Sequence, residues 1–157
     1  AGARLACARL ADCTGTLTPS ALAYERSQSG VPAFDRQKHE LLVHGLVAKP
    51  LVLRLEDLQR LPSISRIYFV ECSGNGAGEY QGPSATTPHT AAGLLSCSEW
   101  TGVTLSSVLR AAGLKPAGKW VLAEGADASR NARSIPIQKA MDAVMIAYGK
   151  NGGAGRP

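Results

Sequence analysis

The chain has 157 residues, of which 45% are hydrophobic and 18% charged, and it carries a formal net charge of +5 at pH 7. This length suits one domain, and the apolar content is sufficient for a folded core, which argues against intrinsic disorder. The basic residues are dispersed and form no run typical of a nucleic-acid-binding arm, so we expect no nucleic-acid partner. No stretch of about 18 consecutive apolar residues occurs, which predicts that the chain has no membrane span.

The N-terminal third predicts a pair of strands and a short helix. Residues 1–20 show no clear hydrophobic period, and residues 24–38 are polar and typical of a loop. Residues 39–47 and 51–55 alternate apolar and polar side chains, which predicts two strands joined by a turn. The sequence EDLQRLP, residues 56–62, predicts a short helix that ends at its proline.

The middle of the chain predicts an apolar strand, a long loop and an amphipathic helix. Residues 65–72 are the most apolar segment, which predicts a strand at the centre of a sheet. Residues 73–93 are rich in Gly, Ser, Thr and Pro and predict a long loop, a feature that often carries function in compact domains. Residues 99–114 predict a turn at Thr101-Gly102 and then a helix, in which apolar residues recur at i, i+3, i+4 and i+7.

The C-terminal third predicts two further strands separated by a helix. Gly113 is expected to end the preceding helix, and residues 119–127 predict a strand that runs into a polar loop. Pro136 stands where the first turn of another helix is expected, and residues 143–149 predict a final strand. Because strands and short helices alternate without a regular βαβ period, we predict a mixed α+β domain.

The chain contains four cysteines, and their spacing does not predict a structural zinc site because no pair has CxxC spacing. Cys7 and Cys13 could pair in an oxidising compartment, and we expect Cys97 to be a small packed thiol. Cys72 follows the most apolar strand and precedes a polar turn. It is either a buried structural thiol or a thiolate at a strand end, which could complete a soft-metal site whose other ligands come from an organic cofactor.

The sequence SRIYFVECSGN, residues 65–75, resembles the signature of the sulfite oxidase family of molybdopterin-binding oxidoreductases. The resemblance extends in order through most of the chain, including GLLSCSEWTGV at residues 93–103. It implies a mixed-sheet α+β molybdopterin-binding fold that is truncated before its C-terminal end. Residues 21–157 would form part of the molybdopterin-binding domain, without the family's C-terminal β-sandwich dimerisation domain, and residues 1–20 have no clear role.

The resemblance also implies a set of site residues. Cys72 matches the family's molybdenum ligand, and Arg26 matches an arginine that faces the substrate anion and the cofactor. The other cofactor-binding residues that it implies are Ser27, Gln28, Ser73, Asn75, Asp127, Arg133 and Ser134. Gln28 stands where the family usually has a histidine. Gly76-Ala77 replaces arginines of the sulfite oxidases, which favours the family's sulfane dehydrogenase branch.

The function that the resemblance implies is the molybdenum-dependent oxidation of a sulfur oxyanion or of sulfane sulfur. The cofactor would be molybdopterin with molybdenum, and the substrate would be a small sulfur compound or carrier-bound sulfane. A c-type cytochrome would accept the electrons, and the location would be periplasmic. Two alternatives stay open, namely a non-catalytic remnant or cofactor-binding fragment and a molybdopterin-dependent sulfoxide reductase.

Overall fold

The computed structural model describes residues 4–27, 35–82, 87–125, 133–141 and 143–151. In chain order, its strands are β1 (Arg4–Ala6), β2 (Glu25–Ser27), β3 (Glu40–Val43), β4 (Leu51–Arg54), β5 (Ser63–Glu71), β6 (Leu95–Thr104), β7 (Trp120–Ala123), β8 (Arg133–Pro136) and β9 (Met145–Asn151). The α-helices are α1 (Leu55–Gln59), α2 (Pro88–Ala91), α3 (Leu105–Ala112) and α4 (Ile137–Ala140). The strands form two-stranded sheets β1-β2, β3-β4 and β7-β8 and a three-stranded sheet in the order β5-β6-β9.

The chain divides into two compact units, and strands β5, β6 and β9 each begin in one unit and end in the other. The first unit comprises Ala1–Pro32, Arg66–Trp100 and Lys150–Pro157. The second unit comprises Ala33–Ser65 and Thr101–Gly149.

The first unit contains the N-terminal segment, which forms regular structure despite its lack of a hydrophobic period. Strand β1 pairs antiparallel with β2, so that Leu5 lies opposite Arg26. The amide of Ala8 donates to the carbonyl of Gly93 over 2.7 Å, and Ala8 is completely buried. A Cβ atom at Gly93 would lie only 2.5 Å from the Cβ of Cys7, so the backbone there needs a glycine.

The second unit begins with the two strands and the helix that the alternation predicted. Strands β3 and β4 are antiparallel, and the Nη2 and Nε atoms of Arg54 bond the Oε1 of Glu40 on the neighbouring strand over 3.0 and 3.1 Å. Helix α1 follows at once, and the carboxylate of Asp57 accepts the amide of Arg54 over 2.9 Å at its N-terminus. The first strand is shorter than its alternating stretch because residues 44–50 form the connection, and the second ends at Arg54 because α1 begins at Leu55.

Helix α3 provides the core of the second unit, with the face that its sequence predicted. Thr104 caps the helix by accepting the amide of Ser107, and Gly113 ends it with a φ of 69°. The buried residues of the predicted face are Leu105, Val108, Leu109 and Ala112. Two clusters form around them, one with Leu58 and Val103 and the other with Ala140.

Two predictions from the sequence are wrong, namely the central place of one strand and the turn before α3. Strand β5 is not central but lies at an edge of the sheet that the described residues form, and its residues Ile67 and Phe69 are exposed. Its apolar composition suggested burial on both faces, whereas the central position belongs to β6. The turn predicted at Thr101-Gly102 does not form, because β6 continues through both residues. Gly102 is required there by close packing, since a Cβ atom would collide with the carbonyl oxygen of Ile146.

The predicted long loop at residues 73–93 contains two short helical segments. A 3-10 turn covers Ala77–Gln81, and α2 covers Pro88–Ala91. The side chain of Thr87 accepts the amide of Thr90 over 3.2 Å, which stabilises the start of α2. The Gly and Pro content of this stretch therefore reflects tight turns as well as irregular chain.

Candidate active site

Cys72 is the first residue after β5, and main-chain hydrogen bonds hold it at the strand end. Its amide donates to the carbonyl of Leu94 over 3.0 Å, and its carbonyl accepts the amide of Asn75 over 2.9 Å. The second bond closes a tight turn through Ser73 and Gly74. The thiol is half-buried, so it is neither sealed inside an apolar core nor fully in solvent.

Asn75 fastens this turn with both ends of its side-chain amide. The Nδ2 group donates to the Oε1 atom of Glu71 over 2.8 Å, and the Oδ1 atom accepts the amide of Leu94 over 3.0 Å. Next along the chain, the amide of Gly76 donates to the carbonyl of Ala91, and Gly76 has a φ of 74°. Within the described residues, the Asn75 side chain therefore serves the geometry of the turn, and the cofactor contact implied for it stays a prediction.

Gly74 leaves space next to the sulfur atom. A Cβ atom built on Gly74 would lie 3.9 Å from the Sγ atom of Cys72, in ordinary van der Waals contact. Gly74 therefore places no side chain of its own against the thiol. Ser73, which is exposed, precedes it on the same turn.

The segment before Arg26 is attached to β6 by three hydrogen bonds. The amide of Thr18 donates to the carbonyl of Cys97 over 2.8 Å, and the Oγ1 atom of Thr18 accepts the Cys97 amide over 3.0 Å. The amide of Tyr24 donates to the Oγ atom of Ser96 over 3.1 Å. Arg26 follows within β2, where its side chain is exposed.

Tyr24 is a neighbour of the candidate thiol that the sequence analysis missed. Burial is the main cause that raises the pKa of its hydroxyl above 10.0, and the negative charges of Cys72 and Glu71 raise it further. The phenol therefore stays protonated through neutral pH and remains a hydrogen-bond donor in the vicinity of Cys72. In the sequence, the signal that Tyr24 lies near the site was its position two residues before Arg26, a predicted site residue.

One face of β6 carries buried polar atoms next to the Tyr24 attachment. Side chains alternate between the faces of a strand, so Ser96, Ser98 and Trp100 share one face. Ser98 is 1% exposed, and its Oγ atom and the buried Nε1 atom of Trp100 have no hydrogen-bond partner among the described residues. The Nζ atom of Lys150 lies 5.6 Å from the centre of the Trp100 ring. Trp100 lies within β6, directly before the Thr101-Gly102 position at which the sequence predicted a turn.

The remaining predicted site residues differ in how far the structure describes them and in the unit to which they belong. Gln28 and Asp127 lie outside the described residues, and Ser27 is described as a backbone position in β2. Arg133 and Ser134 lie in β8 of the second unit, where Ser134 is exposed and pairs with Leu122. The first unit contains Arg26, Ser27, Cys72, Ser73 and Asn75.

The other cysteines do not compete with Cys72 as a site. Cys97 is 2% exposed, which confirms it as a packed thiol, and Cys7 and Cys13 are free thiols. The described ranges hold no group of three His, Cys, Asp or Glu side chains that could bind a metal ion on their own. None of the helices in the described part of the chain is long and apolar enough to cross a membrane.

The comparison with family models identifies the class of domain to which this fold and this cysteine turn belong. Residues 28–154 match the family model described as the oxidoreductase molybdopterin binding domain, and the chain belongs to this family. The sulfite oxidase-like α+β fold that the sequence predicted is confirmed by this match and by the structural comparison.

The proteins that are similar to this chain include enzymes named for sulfur compounds and for nitrate. The crystal structure of the sulfane dehydrogenase SoxCD from Paracoccus pantotrophus is similar with a TM-score of 0.84 and 45% identity, over 92% of this chain and 37% of that chain. The mitochondrial sulfite oxidase of Drosophila melanogaster is 33% identical over 143 residues, which are 85% of this chain and 25% of that protein. The NADPH nitrate reductase of Aspergillus niger is 36% identical over 155 residues, which are 91% of this chain and 18% of that protein.

The residues of the first unit fit the cofactor of this family. A half-buried thiol with a glycine beside it can act as a metal ligand, because a thiolate selects soft metals. The buried hydroxyl of Ser98 and the indole N–H of Trp100 add two hydrogen-bond donors to the same unit. The chain spans well under half the length of each relative named above.

Proposed function

We propose that the chain forms the cofactor-binding part of an enzyme that oxidises a sulfur oxyanion or sulfane sulfur. The 45% identity with a sulfane dehydrogenase supports this substrate class over the others in the family. The observation that carries the proposal is the half-buried thiol of Cys72, which is held at a strand end by a hydrogen-bonded turn.

Cys72 is the proposed molybdenum ligand. The protein holds this residue in place from its backbone amide, its carbonyl and the side chain of Asn75. A ligand held in this way needs little reorganisation to bind a metal, and the metal ion keeps the thiol deprotonated. When bound, the cofactor supplies two-electron oxygen-atom transfer, which is chemistry that the side chains of the protein lack.

Arg26 is the proposed binding residue for the substrate anion. Its guanidinium group can form charge-assisted, bidentate hydrogen bonds with the oxygens of a sulfur oxyanion. The two-stranded sheet β1-β2 and the attachment of Tyr24 to Ser96 position the strand that carries it. Ser27, Gln28, Ser73, Asp127, Arg133 and Ser134 remain proposed cofactor contacts, as does Asn75.

The electron acceptor and the location are proposed from similarity to the sulfane dehydrogenase alone. We expect a c-type cytochrome partner and a periplasmic location. Both are testable by measuring the reduction of candidate cytochromes and by following the protein in cell fractions.

The experiment that tests the function compares the chain with two cysteine variants. Each protein is produced in a bacterium that makes the molybdenum cofactor, and the molybdenum content and the oxidation of sulfite and thiosulfate by a dye acceptor are measured. We expect Cys72→Ser to lose turnover but to keep the molybdenum that the pterin itself would still hold, while Cys97→Ala, which alters a buried thiol of the same unit, keeps both. Full turnover by the Cys72→Ser protein would contradict the assignment.

Nitrate reduction is the second candidate, because the NADPH nitrate reductase of Aspergillus niger is 36% identical to this chain. The same purified protein distinguishes the two when nitrate is offered with a reduced dye. Nitrate reduction without oxidation of sulfite or thiosulfate would replace the first proposal. Reduction of an organic sulfoxide would instead support the sulfoxide reductase alternative.

A further inference from the structure

We infer that the hydroxyl of Ser98 and the indole N–H of Trp100 donate hydrogen bonds to acceptor atoms of the bound pterin cofactor. This inference rests on the proposed function, and it adds two cofactor-binding residues that the resemblance did not imply. Neither residue belongs to the cysteine turn or to β2, so both extend the site along β6.

Leaving these two groups without hydrogen-bond partners costs stability. Ser98 is 1% exposed, and the Nε1 atom of Trp100 is buried as well. Neither atom has a hydrogen-bond partner in the described part of the chain. Buried polar groups without partners are rare and destabilising, and each one calls for a physical explanation.

Ser98 contrasts with two other buried serines, Ser96 and Ser106. The Oγ atom of Ser96 accepts the amide of Tyr24 over 3.1 Å, and the Oγ atom of Ser106 bonds the Oγ1 atom of Thr104 over 2.9 Å. The chain therefore satisfies these hydroxyl groups internally, and Ser98 differs from them although it is at least as deeply buried.

The position of Ser98 in β6 also favours a cofactor contact. Ser98 lies on the same face of β6 as Ser96, about 7 Å further along the strand. The amide of Tyr24 donates to Ser96 on that face, and the carbonyl of Leu94, directly before β6, accepts the amide of Cys72. The two donors without partners thus lie on the strand that begins beside the candidate metal ligand.

The chemistry of the pair restricts what it can bind. The indole N–H of Trp100 is a donor only, and the hydroxyl of Ser98 can donate its proton to any acceptor. The ammonium group of Lys150 lies 5.6 Å from the centre of the Trp100 ring and adds positive charge beside it. Such a set favours a ligand rich in oxygen and nitrogen acceptors, which describes a pterin that carries a phosphate.

The test uses Ser98→Ala and Trp100→Phe, with Ser106→Ala as the matched control. Trp100→Phe keeps an aromatic ring and removes the N–H donor together with part of the indole ring system. Ser106→Ala removes a buried hydroxyl that has a protein partner in the second unit. Each protein is purified from a host that makes the molybdenum cofactor and from a host that cannot.

The first readout is the rate at which pterin is lost from the loaded protein during dialysis, followed by the fluorescence of the oxidised pterin. Loss of one hydrogen bond to the ligand should raise this rate about tenfold in Ser98→Ala and in Trp100→Phe. The rate for Ser106→Ala should equal that of the unaltered chain.

The second readout is the thermal midpoint of the cofactor-free proteins. Ser98→Ala should leave it unchanged or raise it, because the variant removes a buried group without a partner, whereas Ser106→Ala should lower it. Unchanged pterin loss in Ser98→Ala and Trp100→Phe, or a fall in the cofactor-free midpoint of Ser98→Ala as large as that of Ser106→Ala, would overturn the inference while leaving the proposed function intact. If the unaltered chain holds neither pterin nor molybdenum, the proposed function and the inference both fail.

Discussion

Replacing Asn75 tests whether its side chain fixes the turn that carries Cys72. Asn75→Ala removes the acceptor of the Leu94 amide and the donor to Glu71. Leu94 is 7% exposed, so water cannot easily replace the lost partner of its amide, and a buried donor without a partner costs about 1–3 kcal/mol. The bond to Glu71 adds little, because that carboxylate is exposed and water can take the place of the amide.

The expected loss of about 1–3 kcal/mol corresponds to a lower thermal midpoint by about 2–12 °C for a protein of this size. The assay is thermal unfolding followed by circular dichroism, at equal protein concentration and without cofactor. Glu71→Gln is the matched control, since its side-chain oxygen can still accept from Asn75, and its change should stay within about 0.5 kcal/mol. If Asn75→Ala unfolds at the temperature of the unaltered chain, its side chain does not hold the turn and this reasoning is refuted.

Three further predictions concern other parts of the chain. Gly102→Ala should lower the free energy of unfolding by more than about 3 kcal/mol, because a Cβ atom there collides with the carbonyl of Ile146. Urea unfolding measures this loss, and a small change in the free energy of unfolding would contradict the close packing. The phenol of Tyr24 should titrate above 10.0 in an ultraviolet titration, and a normal titration would contradict its burial. Because the pKa of the phenol is raised in the folded state, its contribution to the free energy of unfolding should fall as the pH rises above the pKa of the unfolded chain, and Tyr24→Phe should abolish this contribution. Thr104→Ala should cost about 1 kcal/mol, because it removes the cap that accepts the amide of Ser107, whereas Thr104→Ser, as the control, should cost less.

The parts of the fold predicted correctly from sequence are those in which local pattern and packing agree. Helix α3 is an example, because its apolar period, its Thr cap and its terminal glycine all favour the same helix. The paired strands β3 and β4 follow in the same way from their alternation.

The predictions that failed depended on packing that no local pattern reports. Strand β5 has the composition of a central strand, yet its place in the sheet depends on which strands pair with it. Gly102 looked like a turn residue, whereas its small size admits the backbone of β9 next to β6. A glycine selected for close approach cannot be told from a turn glycine without knowledge of its neighbours.

The candidate site was predicted in part. The family signature located Cys72, and the structure adds the reason why Asn75 accompanies it, since the asparagine side chain ties the turn to the chain before β6. Tyr24 and Ser98 could not be found in this way. The significance of Tyr24 depends on its burial near charged groups, and that of Ser98 on burial without a hydrogen-bond partner in the described residues; both are properties of the folded chain.

The most direct test of the central claim is X-ray absorption at the molybdenum edge on the loaded chain. If Cys72 binds the metal through its sulfur atom, the molybdenum in Cys72→Ser should lose one sulfur neighbour relative to the unaltered protein, and the other neighbours should stay the same. An identical sulfur environment in the two proteins would contradict the account.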